Sequence, residues 1–308
     1  MKKISAGLRK IPLVYYTLAI ILILNASLNP KVLTLKGLNN LMVQVAPTVF
    51  AVMAQTCAIL IGEINLAIDG IINISNVVMA LTMKTLGWFS ILIVIGIGVL
   101  VGLMIGLVVT KLRVNSFIAT LSFSMMLNGV SLLLLPKPGG YVDSTFSKLV
   151  RGRDLGLPNL LILMIVLLAL WRIFRFTRQG LHIYATGGNS YSAFASGVHV
   201  DRAKILAYMI SGFIVAVAAL TISGKTMTGD STIGNAYPMN SIAGALLGGA
   251  AFSGGKGTML GAVAGGMIIA VLINILFFLN ISSAYQYIVQ AIILLISVLL
   301  SLAVRKRR

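Results

Sequence analysis

Residues 160–171 read Leu-Leu-Ile-Leu-Met-Ile-Val-Leu-Leu-Ala-Leu-Trp. A strand of a membrane barrel alternates apolar and polar side chains every second residue, and this run does not alternate at all. The apolar pattern extends over roughly 157–174, close to the about 20 residues that a helix needs to cross a bilayer. Lipid, rather than a protein core, is the solvent for such a stretch, and the fold reads outward from it as all-α.

The rest of the chain repeats the pattern. Its 308 residues are 58% hydrophobic and 10% charged, with a mean hydropathy of +1.02. No water-soluble core needs so much apolar surface. Ten segments are long and greasy enough to be read as spans: roughly 12–28, 41–61, 69–86, 88–110, 115–135, 157–174, 204–222, 237–252, 258–279 and 284–304. The eighth is short and reads as re-entrant or broken. Residues 1–28 resemble a signal peptide, but the apolar run is long and has no clear cleavage site, so they read as an uncleaved first helix. The stretches between spans are too short to fold alone, so 1–308 reads as one polytopic membrane domain.

The net charge of +18 would suggest nucleic acid in a soluble protein. Its placement argues for a membrane instead. With ten spans and both termini on one face, 16 of the 24 basic residues share that face, among them Lys111, Arg113, Arg172, Arg175, Arg178, Arg202, Lys204 and the run 305–308. The positive-inside rule makes that face cytoplasmic. Cys57 is alone, which excludes an internal disulfide and a cysteine metal site. His182 and His199 lie in one inner loop and have only Asp201 near them in sequence, so they read as solvated histidines with no metal.

That inner loop, 175–203, holds the next signal. Asn189 follows two glycines and suits an N-cap, residues 190–196 can be helical, and Gly197 suits a position of positive φ. A two-turn helix is not stable alone in water. Tyr191 and Phe194 are three apart and share its face. A short aromatic helix on the arginine-rich side reads as a plug for a socket on another protein.

Within the spans the polar residues are few. Asn65, Asp69, Asn73 and Asn76 follow one another at spacings of four, four and three, and are expected on one side of a helix. Gln44, Thr48 and Gln55 form a second stripe, Ser124, Asn128 and Ser131 a third, and Gln286 with Gln290 a fourth. Such residues usually face a bundle interior or a watery cavity. Uncharged stripes on several helices fit a path for a hydroxylated solute, and they also fit interhelical hydrogen-bond glue. Gly244 with Gly248 and Gly261 with Gly265 are small-x-x-x-small pairs expected to let backbones approach closely. Gly249, Gly254, Gly255 and Gly257 belong to the turn between these pairs. Residues 253–258, Ser-Gly-Gly-Lys-Gly-Thr, fail the phosphate-loop pattern, because Ala250 stands at the first glycine position and Gly257 follows the lysine. No G-x-S-x-G or H-E-x-x-H set is present. The readings left are a self-contained secondary transporter and the membrane half of a pump driven by a separate ATPase. The cytoplasmic aromatic helix favours the second.

Three motifs then carry a resemblance. Residues 116–121, Ser-Phe-Ile-Ala-Thr-Leu, are similar to a "PFIATLG" segment. Tyr184, Ala185, Gly187, Gly188 and Asn189, with Ala193, Ser196, Gly197, Val198, Asp201 and Arg202, resemble "YAIGGN..AA..SGI.VDR". Leu247 to Gly249 with 253–257 resemble "LGG.SLSGG.G". Over most of its length the chain resembles the permease subunit of the ribose/simple-sugar family of bacterial ABC importers, the carbohydrate branch related to branched-chain amino-acid permeases. The resemblance implies a multi-pass permease domain of the plasma (inner) membrane with a coupling loop at 175–203. It implies a coupling helix comprising Asn189, Ser190, Tyr191, Ala193, Phe194, Ser196 and Gly197. Implied partners are an ABC ATPase subunit that holds ATP and Mg, a second permease chain in a homo- or heterodimer, and an extracytoplasmic solute-binding protein. No cofactor is expected on this chain and no catalytic residue. The chain departs from the family at 62–70, where "GGIDLSVGS" becomes Gly-Glu-Ile-Asn-Leu-Ala-Ile-Asp-Gly. That leaves a nucleoside-type permease as an alternative to a sugar permease. Ser190 and Tyr191 replace acidic residues common after the asparagine, which implies a particular ATPase or a heterodimeric partner.

Overall fold

The computed structural model describes residues 13–154 and 156–279, together with Tyr285, Ile288 and Ile292. The expected tenth span, with Gln286 and Gln290, therefore lies almost wholly outside the described residues. The elements run α1 (Leu13–Leu28), α2 (Leu35–Leu60), α3 (Ile68–Leu86), α4 (Phe89–Lys111), α5 (Ser116–Leu134), α6 (Ser144–Arg151), α7 (Asn159–Arg175), α8 (Arg178–Gly188), α9 (Ser190–Ala195), α10 (Val200–Thr226), α11 (Tyr237–Leu247) and α12 (Met259–Phe278). A 3-10 turn, Pro30–Leu33, joins α1 to α2, and a hairpin of two-residue strands, β1 (Arg153–Asp154) and β2 (Leu157–Pro158), precedes α7.

Among the described residues, five helices are long and apolar enough to cross a membrane: α2, α4, α5, α10 and α12. A sixth is added if α7 and α8, bent by 81° at their junction, count as one span. The protein is a multi-pass helical membrane protein. α3 is of spanning length, but Asp69, Asn73 and Asn76 dilute its apolar character.

α2 is almost wholly buried and forms the axis of the bundle, with α10, α11 and α12 packed on it, while α3 packs on α4, α5 and α10. Without a hydrophobic force between helices in lipid, association depends on close van der Waals contact. α10 meets α4 along a seam of small residues: a Cβ on Gly98 or Gly102 would overlap the carbonyl of Gly212 or Tyr208, and one on Gly106 would come within 2.8 Å of the Ile205 Cα. α11 meets α12 in the same way, where a Cβ on Gly248, Gly261 or Gly265 would overlap a backbone carbonyl of the facing helix. The second seam uses the glycines singled out from the sequence. The first was not singled out, although Gly98, Gly102 and Gly106 recur every four residues.

The eleven residues of α11 span about 16 Å, half a bilayer. The preceding stretch, 227–236, is not helical, and it folds back against α3. Non-helical backbone at membrane depth must find its hydrogen bonds in the protein. Asn76 Oδ1 accepts from the Asp230 N–H at 2.7 Å, Asn73 Oδ1 accepts from the Gly234 N–H at 2.6 Å, and Asn76 Nδ2 donates to the Thr228 carbonyl at 3.3 Å.

The loop contacts separate into two ends of the bundle. At one end, Lys111 pairs with Asp201, Glu63 pairs with Lys204, and the turn at 253–257 meets Gly62 and Gly187. At the other, Gly139 and Gly229 exchange backbone hydrogen bonds at 3.0 and 2.7 Å, the Tyr141 N–H donates to the Ala80 carbonyl, and Asn39 donates to the Arg151 carbonyl.

Candidate functional site

The segment linking α2 to α3 decides where the polar residues go. α2 ends because Gly62 takes φ +80°. The N–H groups of Gly62 and Glu63 then close on the carbonyls of Ile59 and Ala58 at 2.9 and 3.0 Å, a Schellman end. α3 begins only at Ile68. Asn65 therefore lies in the break and not on a helix with Asp69, which corrects the single stripe expected from spacing. Buried in the break, Asn65 accepts from the Ala67 N–H at 3.0 Å and donates to Ser211 Oγ at 3.1 Å. The Gln55 amide, in the orientation that satisfies both groups, donates to the Asn65 carbonyl at 2.8 Å and accepts from its N–H at 3.2 Å.

Asp69 falls in the first turn of α3, where the helix N-terminus favours a negative charge. Its two carboxylate oxygens accept from Ser124 Oγ at 2.7 Å and Asn128 Nδ2 at 2.9 Å, both on α5. Asn128 Oδ1 accepts in turn from Asn73 Nδ2 at 2.8 Å, and Asn73 Nδ2 also reaches Asn235 Oδ1 at 3.2 Å. Asp69, Ser124, Asn128 and Asn73 are thus one network, and Asn76 stands one turn further on, donating to Ser223 Oγ at 2.8 Å. Asp69 and Asn128 are half-buried and Asn235 is exposed, so the network opens on one side. Leu121, three residues before Ser124, packs beside it against Leu66, Ile242 and Leu246. The third stripe divides, because Ser131 turns back to the Leu127 carbonyl. Gln44 of the second stripe accepts a hydrogen bond from Asn274 on α12.

No cation lies within ion-pair distance of Asp69 among the described residues. A carboxylate offers about four acceptor sites, and the two neutral donors leave room for more. Glu63, six residues earlier, is different. Its carboxylate holds the Lys204 ammonium at 2.5 Å and the Tyr208 hydroxyl at 2.7 Å, both on α10. Sequence reasoning missed this pair, although Lys204 stands, after Arg202, at the edge of an apolar span.

At the same end, the expected short helix is present as α9. The Asn189 side chain accepts from the Ser192 N–H at 2.9 Å. Ser196 follows the helix, Gly197 takes φ +80°, and the N–H groups of Gly197 and Val198 close on the carbonyls of Phe194 and Ala193. Ala193 faces inward, whereas Tyr191 is 83% and Phe194 70% exposed. The loop expected before it is instead the helix α8, which runs through Gly187 and Gly188. Gly187 needs to be glycine because a Cβ there would overlap the Leu60 carbonyl, and that same carbonyl accepts from the Gly255 N–H at 3.0 Å. Gly254 and Gly255 take φ +80° and +68°. The base of α9, the end of α2 and the α11–α12 turn therefore meet at one backbone junction. Gly249 and Gly257 complete that turn.

A bundle of apolar spans with a polar network at its open side and an exposed aromatic helix at one end defines a multi-pass helical membrane protein. The chain belongs to the family described as branched-chain amino acid transport system / permease component, whose model matches residues 37–298. It is 31% identical to the ribose import permease protein RbsC of Escherichia coli (strain K12) over 92% of this chain and 90% of that one. It is 34% identical to RbsC of Bacillus subtilis (strain 168), with the same coverage. It is 31% identical to the D-allose transport system permease protein AlsC of Escherichia coli (strain K12), over 95% of this chain and 91% of the relative. No solved structure matches the chain.

Proposed function

We propose that this chain is the permease subunit of an ATP-driven importer and forms, with a second permease chain, the path for a sugar across a bacterial plasma membrane. Relatives named for ribose and D-allose along nearly the whole chain support a monosaccharide over a nucleoside. In this reading the chain crosses the membrane ten times with both termini in the cytoplasm. The clean separation of loop contacts into two ends supports that arrangement, with the Lys111–Asp201 end inside. The open side of the Asp69 network lines the path, where its acceptors and amides meet sugar hydroxyls and the Leu121 cluster meets the apolar ring face. The loops at 137–158 and 227–236, joined through Gly139 and Gly229, receive the solute-binding protein. ATP and Mg are held by the separate ATPase.

The observation that carries the proposal is α9: a capped six-residue helix showing both aromatic side chains outward and rooted in the junction of Leu60, Gly187 and Gly255. ATP-driven motion of a docked ATPase would pass through this root into α2 and the break that precedes Asp69, alternating outward and inward openings. Phe194→Asp tests it. Uptake and solute-stimulated ATP hydrolysis are expected to fall together in the assembled complex, and unchanged values of both would overturn the docking reading.

A further inference from the structure

The same end of the bundle carries a cleft of about 470 Å3 between α8 and the start of α10. Arg178 and His182 line it from α8, His199 and Arg202 from the start of α10, and Leu206 and Met209 give it an apolar wall further along α10. The chain has six side-chain carboxylates, all among the described residues. Asp201, next to Arg202, is taken by Lys111 at 3.3 Å, and Glu63 by Lys204. Neither arginine of the cleft is ion-paired among the described residues, and neither histidine is. The chain outside those residues contributes no acidic side chain. No acidic side chain of this chain pairs with the cleft, so its cations are open to an anion from another molecule.

Its shape restricts the chemistry. A site for a free anion would be polar throughout, whereas here the cationic rim gives way to aliphatic side chains along α10, a helix apolar and long enough to span. Phe176 and Leu181, two and three residues from Arg178, are exposed on the α8 side. A cationic rim next to an apolar wall, beside lipid-facing surface, matches a molecule with a phosphate head and an acyl tail. We infer that the cleft is a binding site for one anionic phospholipid of the leaflet at the Lys111–Asp201 end, with its phosphate between Arg178 and Arg202 and an acyl chain along Leu206 and Met209. The inference rests on α10 spanning the membrane and is independent of which solute is carried. The site lies directly before and after α9, so an occupied cleft would brace the coupling helix against the bundle.

The test uses the full chain in nanodiscs of phosphatidylcholine alone or doped with phosphatidylglycerol, with lipid retention read by native mass spectrometry after detergent release. Wild-type chain is expected to retain one phosphatidylglycerol in preference to phosphatidylcholine. Arg178→Gln with Arg202→Gln is expected to weaken that preference about 30-fold, and Leu206→Trp, which fills the cleft at its apolar wall without changing charge, to abolish it. Lys256→Gln, which removes a cation at the same end but outside the cleft, should leave it intact. Equal retention of the two lipids, or an unchanged preference in both cleft variants, would overturn the proposal. So would displacement by inorganic phosphate at concentrations matching the lipid, which would make the ligand a soluble phosphate compound. Loss of ATPase co-purification in the double variant with lipid preference intact would also overturn it, and would assign the cleft to the ATPase. None of these outcomes involves transport, so they separate from any failure of the sugar reading.

Discussion

Glu63 and Asp69 stand at the two ends of one short break in the bundle, and their surroundings are opposite. Glu63 is held by an ammonium and a phenol of α10 at 2.5 and 2.7 Å, with side-chain exposures of 10% for Glu63 and 23% for Lys204. Asp69 is held by a hydroxyl and an amide of α5 at 2.7 and 2.9 Å, with the α3 N-terminus behind it and no cation. An ion pair of this kind is complete within the chain. A carboxylate held only by neutral donors keeps part of its acceptor capacity for a guest. The comparison teaches that two acids near one break can be treated differently: Glu63 fastens the break to α10, and Asp69 keeps an open side, which the proposed function turns toward the path.

The largest effect should come from splitting the fastened pair. Removing one member of a buried ion pair costs about 3–5 kcal/mol, because the other charge is left uncompensated. The partial exposure of Lys204 places Glu63→Ala at about 3 kcal/mol, near the low end of that range. Thermal inactivation of purified protein in detergent should show Glu63→Ala and Lys204→Ala losing stability alike, and Glu63→Met with Lys204→Met recovering most of it. A Glu63→Ala chain of full stability that no longer supports uptake would break the comparison and move Glu63 into the path.

Asp69→Asn should act the other way round. The change replaces one acceptor oxygen by an amide nitrogen, which the Ser124 hydroxyl can turn to accept from, and it removes the charge available to a solute. A hydrogen bond to a charged group is worth about 1.5–3 kcal/mol, so uptake should fall about tenfold or more at saturating solute-binding protein. Stability should change by less than about 1 kcal/mol, since no buried charge is stranded. An equal loss in stability would show that the Asp69 network is interhelical glue, and the two acids would then differ only in their partners.

The sequence was legible where one local rule decided the outcome. Unalternating apolar runs become helices because lipid allows no other open-chain structure. The limits of α9 follow from an asparagine cap and a glycine of positive φ, both chosen by backbone chemistry. The rest depended on partners distant in sequence. A spacing of four between Asn65 and Asp69 looks the same whether the chain is helical or broken, and the break shows only in Gly62. Asn73 and Asn76 have the spacing of a path, yet half of their six hydrogen bonds go to the backbone at 228–234, which no periodicity connects to them. α8 continues through two adjacent glycines, which propensity alone would end, because Gly187 must fit against Leu60.

Asn65 lies between the two acids and gives the smallest and most discriminating test. From its spacing it sides with Asp69, and from its bonds it sides with Glu63: its oxygen is taken by Ala67, its nitrogen by Ser211, and its backbone by Gln55. A residue whose polar groups are each satisfied within the chain has little to offer a solute. Ser211→Ala removes one neutral hydrogen bond and should cost about 1 kcal/mol of stability, with uptake per folded complex unchanged. If stability held while uptake fell several-fold, the Asn65 amide would be shared between Ser211 and the solute. The dividing line between fastening and recognition would then run between Glu63 and Asn65, and not between Asn65 and Asp69.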